Sequence, residues 1–251
     1  MANDNQDFEN LVAEASQHPF SGWDFSFVHN RMCEGTLPWD YRVQVHKAFA
    51  STKTLLDIGT GGGEFLASLQ PLPPQTYATE AYAPNVPVAR ARLEPLNVRV
   101  EAVESEDHLP FPDNYFDLVI NRHESFIAEE IIRILKSGGS FITQQVGERN
   151  LIEINNWLQG ATEEKASYYR RALAFIRQAG FEVIDSREAF PETIFRDVGA
   201  VVYYLKAIPW QVPGFSIETG CDKLRAIHNR IQATGQFTAA AHRFYIEACK
   251  P

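Results

Sequence analysis

The sequence predicts an α/β fold: a doubly wound, mostly parallel seven-stranded sheet with helical cap and lid additions. Three observations lead there. Short apolar runs bounded by glycine or proline recur along the chain, as buried parallel strands require. Helical segments of about ten residues alternate with them, which marks βαβ units and a sheet covered on both faces. The first run opens into closely spaced glycines and then a helix, the form of a ligand-binding turn at the carboxyl ends of such strands.

Residues 7–50 read as a helical, aromatic-rich leader containing Phe8, Phe20, Trp23, Phe25, Phe27, Trp39 and Tyr41. Strands are then expected at 54–58, 75–79, 98–103 and 116–120, the last entered by the turn Pro112-Asp113-Asn114. Helices are expected at 64–69, stopped by Pro71, Pro73 and Pro74, and at 87–93. A further helix, 127–135, stops at Ser137-Gly138-Gly139, and 140–146 is the fifth strand. An amphipathic helix over 163–179 ends at Gly180 and leads to a strand at 181–186. Asp197 caps a helix over 197–207 that carries Val198, Val201, Val202 and Leu205 on one side. After the proline-interrupted stretch 209–214 come a helix at 222–232 and a last strand at 242–248. Right-handed crossovers leave few ways to arrange these strands. The reading divides the chain into an N-terminal cap, 1–50, and a ligand-binding domain, 51–251, with 191–236 as a lid-like insertion.

Composition narrows the function. Hydrophobic residues make up 45% of the chain and charged residues 22%, the balance of a soluble globular protein. No apolar run reaches the ~20 residues of a membrane span. The first ten residues are acidic and amide-rich where a secretory signal is basic and apolar, so a cytoplasmic protein is expected, monomer or dimer. A net charge of −9 argues against a long polyanion as partner, since lysine and arginine supply most of that affinity. The three cysteines, Cys33, Cys221 and Cys249, are scattered, and no metal site is expected.

The most informative stretch is Leu55-Leu56-Asp57-Ile58-Gly59-Thr60-Gly61-Gly62-Gly63-Glu64. Glycines there let the backbone turn sharply and approach a ligand. Glu80 closes the second strand at a distance suited to accepting hydrogen bonds from ribose hydroxyls. A dinucleotide fingerprint wants Gly or Ala where Glu64 stands, and a carboxylate at that helix end opposes a pyrophosphate. S-adenosylmethionine (SAM) has no phosphate and carries positive charge, so the residues favour SAM over NAD.

The glycine loop, Glu80, the stretch from Leu109 to Val119 and the Ile134–Phe141 stretch with Gly138-Gly139 together resemble the class I SAM-dependent methyltransferases. The resemblance is close over 50–146 and holds only in outline elsewhere. It implies that Asp57 and the loop of Gly59, Thr60, Gly61 and Gly63 hold the methionine part of SAM; Tyr41 of the leader is a further candidate cofactor contact. Glu80 holds the ribose and Ala81 packs on the adenine. Ser105 or Glu106 meets the adenine edge; relatives often have Asp there, so the reader of the amino group stays open. Asn121 flanks the methyl-bearing sulfur.

A base, if the reaction uses one, is expected in Asn121-Arg122-His123-Glu124, with His123 the candidate because imidazole titrates near neutrality. Gln145, Arg196, Tyr203, Trp23 and Trp39 are candidate acceptor contacts, and the leader and the late segment are expected to close over the strand ends. The Asn/Asp-Pro-Pro-Tyr motif of adenine and glutamine methyltransferases is missing, and Asn121 and Gln144-Gln145 stand where catechol-type enzymes place acidic metal ligands. The expected activity is methylation of a small molecule. An rRNA or tRNA methyltransferase and a non-catalytic SAM-binding sensor are the competing readings.

Overall fold

The computed structural model describes residues 2–20, 24–105, 107–160 and 166–251, with side chains from residue 6 onward. In chain order the elements begin with α1 (Ala2–Gln17), β1 (Met32–Glu34), α2 (Tyr41–Phe49), β2 (Thr54–Ile58), α3 (Glu64–Ala67), β3 (Gln75–Glu80) and α4 (Val86–Leu93). They continue with β4 (Val98–Ala102), β5 (Phe116–Arg122), α5 (Ala128–Ile134), β6 (Leu135–Val146), α6 (Ile152–Gln159) and α7 (Tyr168–Gln178). The last are β7 (Glu182–Ala189), β8 (Glu192–Phe195), α8 (Val198–Ala207), α9 (Ile217–Thr234), β9 (Phe237–Ala240) and β10 (Arg243–Cys249). They form two compact units, one from the described parts of 1–37, 149–165 and 190–242, the other from 38–148, 166–189 and 243–251.

The larger unit holds the expected sheet, in the order β4-β3-β2-β5-β6-β10-β7. The first five strands are parallel, and β10 runs antiparallel to both β6 and β7. Every residue of β2 is buried, as a central strand covered on both faces must be. Leu56, Ile58, Phe116, Val119, Phe141 and Ile246 share one core with residues of α5 and α7. Asp117 ties the starts of the central strands together. It accepts from the backbone N–H groups of Lys53 (3.0 Å) and Thr54 (2.8 Å), and from Lys136 Nζ at 2.7 Å. Burial alone would raise its carboxyl; the Lys136 and Thr54 bonds overcome that and hold it at about 2.

The other unit is built on the three-stranded antiparallel sheet β1-β8-β9 with α1, α6, α8 and α9. Asp197 caps α8 by accepting from Ala200 N at 2.9 Å, and it takes two bonds from Arg31, at 2.8 and 2.9 Å. Gly199 lets α8 press against α1, because a Cβ there would stand 2.8 Å from the Leu11 carbonyl oxygen.

The sequence places the long elements well and the short ones poorly. Expected helices and strands between 54 and 146 appear within a few residues, and the Asp197 cap is where it was expected. The leader is not one helical cap. Residues up to 37 contribute α1 and β1 to the smaller unit, because β1 pairs with β8, whereas Trp39 and α2 belong to the sheet unit. Among the described residues no helix is long and apolar enough to cross a membrane.

Candidate functional site

At the carboxyl end of β2 the chain turns through Gly59, Gly61 and Gly63, with φ values of 68°, 62° and 80°. Side chains pay steric strain in this left-handed region, and glycine does not. The turn is pinned by Thr60 N donating to Thr79 O at 2.9 Å and Gly63 N to Thr60 O at 3.0 Å. Glu80, at the end of β3, reaches across: one carboxylate oxygen accepts from Gly61 N at 2.6 Å and the other from Tyr82 N at 2.7 Å. Only 5% of Glu80 is exposed. Burial pushes its carboxyl upward, the Tyr82 and Gly61 N–H groups oppose this, and the nearby Glu124 carboxylate adds to the rise. Asp57, 4% exposed at the end of β2, is pushed up to about 7 by burial.

A groove of about 610 Å³ opens beside this turn, lined by Glu80, Ala81, Val86, Ala102, Val103 and Glu104 among others. It offers a carboxylate at one end and an apolar floor, the donor set that a ribose joined to a flat heterocycle needs. Left-handed glycines beside it give backbone access to the rest of such a ligand. The residues present therefore fit SAM. Ser105 lies just past the groove and accepts from Asp107 N at 3.2 Å; Glu106 lies outside the described residues.

Asn121 ends β5 fully buried. Its amide donates to Ile58 O at 3.3 Å, and its oxygen accepts from Thr143 Oγ1 at 3.0 Å and from Gln145 Nε2. Gln145 also donates to Glu124 O at 2.8 Å. Tyr41 donates to the carbonyl oxygens of Asn121 and Ile142, each at 3.1 Å, and burial holds its phenol far above the ordinary range. Trp39 Nε1 donates to Gln144 Oε1 at 2.8 Å, and Gln144 Nε2 lies 3.2 Å from His123 Nε2. His123 itself has a left-handed backbone, φ 63°, held by His123 N donating to Gln144 O at 2.8 Å.

The structure thus gathers Trp39, Tyr41, Asp57, the glycine loop, Glu80, Asn121, His123 and Gln145 at the carboxyl ends of one unit's central strands. Two candidate contacts belong to the other unit. Arg196 is exposed there, its N–H donating to Arg31 O at 2.8 Å. Tyr203, 1% exposed, is a core residue: Phe20, Phe25, Phe27 and His18 surround its ring and its hydroxyl donates to Asp24 O at 3.0 Å. Trp23 lies outside the described residues. Glu64 is not the bare charge that the case against a pyrophosphate assumed, for Arg92 pairs with it and with Gly62 O. Glu124 was named only as part of the stretch expected to hold a base, with no role of its own. Its stem lies over Gly59, where a Cβ would stand 2.6 Å from Glu124 Cβ. Among the described residues no group of three His, Cys, Asp or Glu could hold a metal ion.

Residues 56–143 match the family model described as a methyltransferase domain. No curated protein sequence matches the chain. Among solved structures, a putative methyltransferase from Bacillus halodurans C-125 is similar at 18% identity and a TM-score of 0.59, over 84% of this chain and 98% of that one. The YcgJ protein from Bacillus subtilis aligns at 17% identity and a TM-score of 0.56, over 84% and 97% of the two chains. A functionally unknown protein from Deinococcus radiodurans R1 aligns at 12% identity and a TM-score of 0.59, over 98% of this chain and all of that one. At such identities the solved structures speak for the fold, and the family model speaks for the chemistry of its central stretch.

Proposed function

We propose that the class I SAM-dependent methyltransferase domain of this chain delivers its methyl group to a small cytoplasmic molecule, at an oxygen, nitrogen, sulfur or carbon nucleophile. SAM supplies a methyl group on a positively charged sulfur, which departs as a neutral thioether. Asp57 and the loop from Gly59 to Gly63 hold the amino-acid end, and Glu80 takes the ribose hydroxyls. Asn121, locked by Ile58, Thr143 and Gln145, keeps the end of β5 rigid where the acceptor must align.

The observation that carries a small acceptor is the acidic site. Glu80 stands within reach of the charge of both Asp57 and Glu124, on a chain of net charge −9. Such a wall suits a cationic cofactor and repels the phosphates of a long RNA. The test is to incubate the protein with SAM labelled in its methyl group and a cell extract, then separate small molecules, RNA and protein. Label in the small-molecule fraction is expected. Label confined to RNA, lost steeply as salt is raised, would overturn the reading in favour of an RNA acceptor.

A further inference from the structure

We propose that Trp39 and Gln144 lock His123 as a neutral imidazole with its proton on Nδ1, so that His123 meets the methyl acceptor as a hydrogen-bond donor and not as a general base. The inference rests on the methyltransferase reading above.

An indole N–H can only donate. Trp39 Nε1 lies 2.8 Å from Gln144 Oε1, so that atom is the amide's oxygen. The other end of the same amide, Nε2, has only hydrogens to give, and it lies 3.2 Å from His123 Nε2. A ring nitrogen facing an N–H donor has to offer its lone pair. The proton of the neutral ring is then on Nδ1. An imidazolium would set one N–H against another across that distance, at the cost of an unmade hydrogen bond.

The surroundings keep this arrangement in place. Trp39 and Gln144 are both buried, and His123 is fixed to β6 through its own N–H and the Gln144 carbonyl. The cationic groups that face the ring are Arg122 on β5 and Arg243 on β10, with Glu124 next in sequence; Gln144 and Trp39 are uncharged. His123 is exposed as a residue, but protein atoms packed around its ring, then the two arginines, lower the imidazole's pKa from its ordinary value.

A consequence for the acceptor follows. Neither ring nitrogen is placed to take a proton, because Nε2 is engaged and Nδ1 already carries one. The matching acceptor is a nucleophile whose lone pair is free at neutral pH without loss of a proton, such as an aromatic ring nitrogen. Its lone pair forms the new bond to the methyl carbon, the carbon–sulfur bond breaks toward sulfur, and no proton passes through His123. The Nδ1–H donates to an oxygen or nitrogen of the acceptor and orients it. Trp39 and Gln144 are positioning residues.

Nitrogen NMR of the imidazole rings in the full-length labelled protein tests this without knowledge of the acceptor, with His123 identified by the signal missing from His123→Asn. The expected result is an Nδ1–H neutral ring between about pH 5 and 8, the range over which an ordinary histidine changes charge. Gln144→Glu, which puts a carboxylate beside Nε2, is expected to turn the ring into an imidazolium at neutral pH. Trp39→Phe frees the amide to flip and is expected to give a mixture of tautomers; if that variant fails to fold, Gln144→Glu alone decides. A parent ring protonated on Nε2, or charged at pH 7, or unmoved by Gln144→Glu, overturns the proposal. Calorimetry with SAM is the separate arm: failure to bind SAM sinks the methyltransferase reading and leaves the tautomer standing.

Discussion

Replacing Glu80 by alanine probes the most connected residue of the cofactor cradle. Its two carboxylate oxygens serve two backbone donors, Gly61 at 2.6 Å and Tyr82 at 2.7 Å, and these losses are unequal. Gly61 is buried, so its N–H is left without a partner, which costs about 1–3 kcal/mol. Tyr82 is 64% exposed, and water replaces its partner at little cost. The expected destabilisation is therefore about 1–3 kcal/mol in total, or a melting temperature lower by roughly 2–4 °C for each kcal/mol in a chain of this size. SAM loses a charged acceptor for its ribose as well, a further ~1–3 kcal/mol, so binding should weaken roughly 5- to 150-fold. Glu80→Gln retains an acceptor for one N–H and should fall between parent and alanine in both measurements. Titration calorimetry with SAM and its demethylated product, alongside thermal melts, reads the two effects apart. If Glu80→Ala bound SAM as tightly as the parent, the ribose would be held elsewhere, and the groove beside Ala81 would not be the adenosine site.

Asp57 ionises near 3.8 in the unfolded chain and at about 7 in the fold, so the stability tied to it falls as pH rises from about 4 to about 7, by up to roughly 4 kcal/mol. Asp57→Asn should therefore be more stable than the parent above pH 7 by urea unfolding, yet bind SAM more weakly. The parent's SAM affinity should climb through pH 7, and a slope unchanged in the variant would clear Asp57 of the role. Asp117 works in the opposite sense: held at about 2, it contributes roughly 2 kcal/mol above pH 4 that is lost toward pH 2. Acid unfolding of Asp117→Asn should lack that part of the transition. Gly63→Ala forces a side chain to φ 80° and sets a Cβ 2.7 Å from Leu93 Cγ, so a loss of at least about 1–2 kcal/mol is expected. A melt identical to the parent would refute the left-handed turn.

The central sheet was legible because each signal was local. A run such as Leu55 to Ile58, short and closed by glycines, reads as a buried strand, and Gly59, Gly61 and Gly63 announce the turn that follows. The small sheet was not legible. Met32-Cys33-Glu34 and Glu192–Phe195 are too short to show an alternation, and they become strands only through pairing, the first with the second and the second also with β9. The same holds in the site. Asp57, Glu80 and Asn121 follow from their place at strand ends. Trp39 and Tyr41 could be flagged as aromatic but not placed, because their partners Gln144, Asn121 and Ile142 lie far along the chain. Tyr203 shows the converse: an aromatic on a helix near expected contacts, whose ring the surrounding side chains absorb entirely.

The position of β10 has a consequence for synthesis. It sits between β6 and β7, pairing Arg243 with Val146 on one side and with Ala189 on the other. A ribosome releases β6 about a hundred residues before β10 exists, so over that interval β6 carries an open edge, and β7, once made, has no neighbour in the sheet. Open apolar edges recruit other chains, and contacts between distant parts of the sequence close slowly. Cutting the chain back to the stretch that matches the family model, 56–143, would make that interim state permanent. Such a fragment keeps the glycine loop and Glu80 but gives β6 nothing to pair with on its outer side. The nascent chain is thus most exposed to aggregation between the emergence of β6 and the arrival of β10, an interval in which slower translation would prolong the hazard.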